Sequence, residues 1–251
     1  MRSAYRWPET RRWTPLAALM LAACAGKAPP ATPAGFVEPD GMRHNPDLPF
    51  HRVWRDRAFD FAACRRLHVA PVDTDYLMEQ TWWQGVGRGG HAEADVVELA
   101  ARFRERVTAA FRDDPAHRFA VLDERALAAD PSAALVLELA IVELVPHKAV
   151  LHALTYPGGP VGLLARRGLD SLGATCIAIE GRVRDASTGV VVARFADREQ
   201  KKSGLLNLKN FTWYAHVHEI LDEWAEQFRQ VASKAPDEVV PDTPAWEWLP
   251  W

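Results

Sequence analysis

Cys176-Ile177-Ala178-Ile179-Glu180-Gly181-Arg182-Val183-Arg184-Asp185 runs into Ala186-Ser187-Thr188-Gly189 and returns as Val190-Val191-Val192-Ala193-Arg194-Phe195-Ala196-Asp197-Arg198. Alternating side chains with a polar, glycine-ended break define a β-hairpin. Ser187-Thr188-Gly189 reads as a three-residue loop with Gly189 in the left-handed conformation, which sets Ala186 opposite Val190. On that register Ile177, Ile179, Val183, Val191, Ala193 and Phe195 share one face. Glu180, Arg182, Arg184, Arg194 and Arg198 share the other. One face packs and the other is polar, as in an antiparallel sheet. Arg182 falls opposite Arg194, and directly opposed like charges are unfavourable. Glu180, Glu138 or an anionic partner is expected to neutralise them. Arg182, Arg184, Arg194 and Arg198 are therefore candidate partner-binding residues.

Working outward, Leu135 to Val145 reads as a longer strand with apolar residues on both faces, so both are expected to be covered. Leu67 to Val72 and Phe119 to Leu122 are shorter strands. Pro71 marks an edge position or a strand end. Val96, Leu99, Phe103, Val107 and Ala110 recur at helical spacing within 92–111. Phe211, Tyr214, Val217, Leu221, Trp224, Phe228 and Val231 give a second stripe within 211–232. The element order predicts an α+β fold: a mixed, mostly antiparallel sheet of about five strands with two long helices on one face.

The N-terminus carries Arg2, Arg6, Arg11 and Arg12, then the apolar run Trp13 to Ala23, then Cys24. That run is roughly 11 residues, a signal-peptide length, whereas a transmembrane helix needs about 20. Leu21-Ala22-Ala23-Cys24 resembles the bacterial lipobox, which implies cleavage before Cys24 and its acylation. Ala25 follows where an Asp would imply retention at the inner membrane, which resembles the outer-membrane class. The expected organisation is a signal peptide over 1–23, a lipidated Cys24 and Pro-rich tether over 24–50, one periplasmic domain over 51–235, and a Pro/Trp-rich tail over 236–251. The chain of 251 residues has a formal charge of -3 and is 48% hydrophobic. Near neutrality argues against a nucleic-acid binder. Of the three cysteines, Cys64 and Cys176 remain in the mature chain, either as a disulfide or as small buried hydrophobes.

The lipobox, the strand ending Ala70-Pro71-Val72, the hairpin Val183 to Val190 and the closing helix with Trp213 and Trp224 occur in this order. Together they resemble a family of bacterial lipoproteins known as domain-of-unknown-function family 3313. The resemblance spans most of the mature chain. It implies a location and brings no catalytic residues with it.

Candidate chemistry is sparse. His216 and His218 stand two apart, which points them in different directions on a helix. Asp73 and Asp75 follow a strand without a partner carboxylate at a readable spacing. Gly85 to Gly90 is glycine-rich but lacks the Gly-Lys-Ser/Thr of a phosphate loop. Cys64 has no readable His partner, and no Gly-x-Ser-x-Gly elbow occurs. No cofactor or metal site is expected. The stretch 149–174 is about 26 residues, too long for a structureless loop, and apolar at Leu163 and Leu164 among others. It reads either as a cap over the open sheet face or as a docking surface for a lipid or protein. The expected function is a non-enzymatic envelope lipoprotein that binds or scaffolds an envelope protein or lipid. An auxiliary subunit of an envelope transport system is the alternative, with an enzyme acting on envelope polymers behind both.

Overall fold

The structure is a computed structural model describing residues 27–78, 91–145, 174–202 and 215–242. Its strands are β1 (Arg52–Arg55), β2 (Arg66–Val69), β3 (Ala120–Leu122), β4 (Ala134–Val145), β5 (Ala174–Asp185) and β6 (Val191–Lys202). Its helices are α1 (Asp75–Met78), α2 (His91–Arg112), α3 (Glu124–Ala129) and α4 (Ala215–Ser233). The strands form one six-stranded sheet in the order β1-β6-β5-β4-β2-β3. The β1-β6-β5-β4 part is antiparallel, and β2 is parallel to both β4 and β3. The expected mixed sheet is there with one more strand. β1 was not legible because Arg52-Val53-Trp54-Arg55 is too short to show a period. Pro71 lies just past the end of β2, which is an internal strand.

The hairpin turns at Gly189, whose φ is 72°, a conformation that costs glycine nothing. The loop has four residues, not three. Asp185 N–H donates to Val190 O (3.0 Å), so Asp185, and not Ala186, faces Val190. A bulge in β6 then restores the expected register, giving Val183 opposite Ala193 and Arg182 opposite Arg194. The bulge also explains why Val192, and not Val191, is the buried residue. Asp185 closes the turn by accepting from Ser187 N–H (2.7 Å) and Ser187 Oγ (2.6 Å).

Helices α2 and α4 both lie on the face bearing Leu139, Ile141, Ile177 and Ile179. The predicted stripes are the ones that pack: Val96, Phe103 and Val107 from α2, and Val217, Leu221 and Trp224 from α4, are fully buried. Phe103 meets Trp224 with ring centroids 6.1 Å apart. The β5 backbone passes close beneath the Phe195 ring at Gly181, where a Cβ would stand 2.2 Å from a ring carbon.

The second face of the sheet carries a surprise. The Pro-rich stretch expected to be a free tether packs onto it from Lys27 onward. Phe36 and Val37 are buried against Ala140, Val142 and Ala178 of β4 and β5. As expected, β4 is buried on both sides. Low hydrophobic content misled the reading of 24–50, because this segment is held largely by hydrogen bonds from its backbone.

Candidate functional site

Residues 27–38 form no helix or strand, so their backbone groups need partners elsewhere. The polar face of the hairpin supplies them. Ala34 N–H and Val37 N–H donate to the two carboxylate oxygens of Glu180 at 2.7 and 3.0 Å. Arg182 donates to Phe36 O (3.2 Å), Arg194 to Glu38 O (2.7 Å) and Asp40 O (3.2 Å), and Arg198 to Pro29 O (3.2 Å). Arg52 of β1 donates to Ala31 O at 3.1 Å. The arginines are neutralised from within. Arg182 pairs with Glu138 at 2.6 Å, Arg184 pairs with the same carboxylate, and Arg198 makes two bonds to Glu143 at 3.0 and 3.2 Å. Arg182 also lies over the Phe36 ring, and Arg194 over Trp54. Arg198 is only 7% exposed, so the expected open cationic surface is instead the seat of this N-terminal strap. Arg182 and Arg184 keep about a third of their side chains exposed, at 33% and 37%.

The strap begins at a buried charge cluster on the edge of β6. Lys27 Nζ lies 2.8 Å from Asp197, 3.3 Å from Glu199 and 3.0 Å from Asp242. Its ammonium also donates to Pro49 O. The His51 ring places one nitrogen 2.7 Å from Asp197 and the other 2.6 Å from Ala28 O. Trp224 Nε1 donates to Asp197 at 2.8 Å. Burial alone would raise the Asp197 carboxyl, but the His51 and Lys27 contacts outweigh it and hold it below its ordinary value. Burial and the negative charge of Asp197 push Glu199 up to about 8. One ammonium among crowded carboxylates leaves negative charge in surplus, and Glu199 takes the proton. These groups fasten the strap.

A concave feature lies elsewhere, between the sheet and the C-terminal ends of α2 and α4. It is a cavity of about 690 Å³. Its floor is apolar and buried: Phe50, Leu67, Phe111, Leu135, Phe195 and Phe228. Phe50 stacks on Phe195 at 4.9 Å, and Phe228 closes on both. Its rim carries Arg55, Arg118 and Lys234 against the single acid Asp47. Arg118 spends its guanidinium on Cys64 O (2.5 Å) and Phe61 O (2.6 Å). Arg55 lies 4.4 Å over the Phe61 ring. Among the described residues, none of the three rim cations is in an ion pair with a carboxylate. Sequence reasoning missed this cavity because its lining is drawn from β1, β2, β4, β5, β6, both long helices and four connecting segments.

The other sequence candidates resolve locally. Asp73 accepts from Asp75 N–H at 2.8 Å, capping the short α1. His216 sits 3.3 Å from Glu219. His218 lies apart from it, its pKa lowered by burial and by Arg102. Among the described residues no cluster of His, Cys, Asp or Glu has the geometry to hold a metal ion. Cys64 and Cys176 are separate buried thiols, and burial raises the pKa of Cys64. Cys24, the Gly85–Gly90 run, the 149–173 insertion with Leu163 and Leu164, and the terminal Trp246, Trp248 and Trp251 lie outside the described residues. The first part of the expected C-terminal tail does pack: Val240 is buried and its N–H donates to Asp47 O at 3.1 Å.

This architecture defines an α+β sandwich with one face under helices and the other under its own N-terminal strap. The chain belongs to the family described as "Protein of unknown function (DUF3313)", whose profile matches residues 32–228. The match takes in most of the strap. No curated protein matches the chain. Among solved structures, the PelC dodecamer from Paraburkholderia phytofirmans is similar at 14% identity and a TM-score of 0.35, over 70% of this chain and 95% of that one. The hypothetical protein CT253 from Chlamydia trachomatis is similar at 12% identity and a TM-score of 0.38, over 68% and 98%. The lipoprotein GNA1162 from Neisseria meningitidis is similar at 11% identity and a TM-score of 0.26, over 68% and 99%. These likenesses are too distant to bear on function.

Proposed function

We propose that the protein is an exported lipoprotein, anchored through Cys24 on the periplasmic side of the outer membrane, whose domain acts as a non-enzymatic binding module for an envelope protein or lipid. The observation that carries the reading is the sequence Leu21-Ala22-Ala23-Cys24 behind a basic, apolar leader. Each buried CH₂ of an acyl chain contributes roughly 0.8 kcal/mol, and two or three chains make attachment effectively permanent. No helix among the described residues is long and apolar enough to cross a membrane, which suits a lipid anchor. The packed strap changes how such an anchor works. Lys27, the first described residue, is already packed, so at most three peptide units separate the anchor from the domain, a span of about 10 Å. The domain is then held against the bilayer surface, with no long leash. A binding role is supported by where the perturbed acids lie: Asp197 and Glu199 fasten the strap and do not line the 690 Å³ cavity. The test is Cys24→Ser in cells fed labelled palmitate. The wild-type chain takes up label and fractionates with the outer membrane. The variant takes up none and accumulates as precursor. Unchanged incorporation in the variant overturns the anchor.

A further inference from the structure

The cavity under the ends of α2 and α4 joins two properties that soluble domains do not combine without cost. Its floor is a continuous apolar surface from five strands and two helices, and its rim is cationic. At about 690 Å³ it falls inside the roughly 300–1,000 Å³ range of small-molecule sites. A core of this size ordinarily closes by side-chain packing, because a void forfeits contacts on every wall. Here Phe50, stacked on Phe195, and Phe228, tilted against both, line one wall and leave the space before Leu135, Leu137 and Val231 unfilled. The exposed residues Arg55, Asp47, Ser233 and Pro236 mark its mouth.

Charge at the mouth selects the occupant. Arg55, Arg118 and Lys234 stand against Asp47 alone, since the Arg194 guanidinium is spent on the strap on the opposite face of the sheet. The guanidinium of Arg118 is held in place by backbone carbonyls, and that of Arg55 lies over an aromatic ring. Such bonds orient a cation without cancelling its charge. An occupant therefore needs an apolar body and an anionic head. We infer that this cavity binds a long-chain fatty acid, its chain along the Phe50–Phe195–Phe228 wall and its carboxylate at the Arg55–Lys234 rim. The inference gives the proposed binding module a ligand class, and so rests on that reading. It does not depend on the anchor.

The experiment uses the full chain reconstituted in phosphatidylcholine nanodiscs and a palmitate carrying a mid-chain diazirine. After photolysis, adducts are mapped by peptide mass spectrometry. Adducts are expected in the peptides spanning Leu48 to Arg55 and Phe228 to Lys234. Excess palmitate suppresses them, and an alkylammonium of equal length does not. Val231→Trp fills the space and removes the adducts while far-ultraviolet circular dichroism stays native. Should that variant not fold, Arg55→Gln with Lys234→Gln decides, since both residues lie at the rim. Loss of two rim charges is expected to weaken competition by palmitate about two- to tenfold. Adducts spread over the surface, equal competition by the amine, or stronger competition by phosphatidylglycerol than by palmitate overturns the inference. So does labelling that appears only after residues 243–251 are removed, or only in Cys24→Ser, since the chain's own tail or acyl group would then be the occupant. Palmitate incorporation at Cys24 is scored separately, so failure of the anchor and failure of the cavity are distinguishable.

Discussion

The two faces of the sheet are buried by opposite means. Beneath α2 and α4, contact is between large apolar side chains: Leu139, Ile141, Ile177 and Ile179 meet Phe103, Leu221 and Trp224. Beneath the strap, the apolar residues are few and mostly small, Ala140, Val142 and Ala178, and between them stand Glu180, Glu143 and Arg198, all buried. The difference follows from the covering element. A helix satisfies its own backbone and needs only a greasy surface to lie on. An extended strand-less segment brings unsatisfied N–H and C=O groups wherever it is buried. Proline lightens that requirement by removing donors at Pro29, Pro30 and Pro33. Of the remaining donors, Ala34 N–H and Val37 N–H fall on one carboxylate, Glu180, and carbonyls of the strap fall on Arg52, Arg182, Arg194 and Arg198. A polar sheet face is thus the correct partner for an extended strap.

The contrast predicts failure of different sizes and kinds. On the helix face, Phe103→Ala opens a void in a fully buried site and is expected to cost about 3–5 kcal/mol, read as the largest fall in the urea or thermal midpoint. A loss below 1 kcal/mol would mean that the face is not close-packed. On the strap face, Glu180→Leu removes one side chain but strands the buried Val37 N–H, at about 1–3 kcal/mol when unsatisfied, and the half-buried Ala34 N–H at less. Its signature is local. Amide exchange and protease cleavage should rise within 27–43 while the α4 core stays protected. Uniform loss of protection would show that strap and helix layer unfold as one unit.

The smallest effect concerns pH. Glu199 is held up to about 8 against an ordinary 4.5, so the folded chain binds that proton more tightly than the unfolded one. Its contribution is complete below about pH 4.5 and is lost as pH rises through 8. Asp197, held below its ordinary value, contributes in the opposite sense and loses its part in acid. Glu199→Gln should therefore remove the decline between pH 5 and 8 and leave the acid limb, measured as the thermal midpoint against pH. An unaltered slope in that window would place its origin outside this cluster.

Much of the helix face was legible in the sequence. Val96, Phe103, Val107, Val217, Leu221 and Trp224 announce themselves because a helix buries residues at a fixed local period. The hairpin was legible through Gly189 and the alternation around it. One residue of loop length was not, since the bulge that restores the register is itself a tertiary feature of β6 against β5. The candidate arginines were correctly grouped on one face. What covers that face was invisible, because no pattern within 27–43 shows that its backbone, and not its side chains, makes the contact. The cavity was invisible for the same reason at larger scale: Phe50, Leu135, Phe195 and Phe228 lie far apart along the chain.

By itself the sequence determined the class of the fold, the two helix stripes and the hairpin, all of which are written in neighbouring residues. The tertiary structure alone decided the rest. It seated the N-terminal segment on the arginine face, gathered Lys27, His51, Asp197, Glu199 and Asp242 into one cluster, and left a cationic mouth over an apolar cavity. Periodicity reports which side of its own element a residue takes. Which groups from distant segments then meet is set by sheet order, because β6 lies between β1 and β5 and carries both ends of the described chain to its edge.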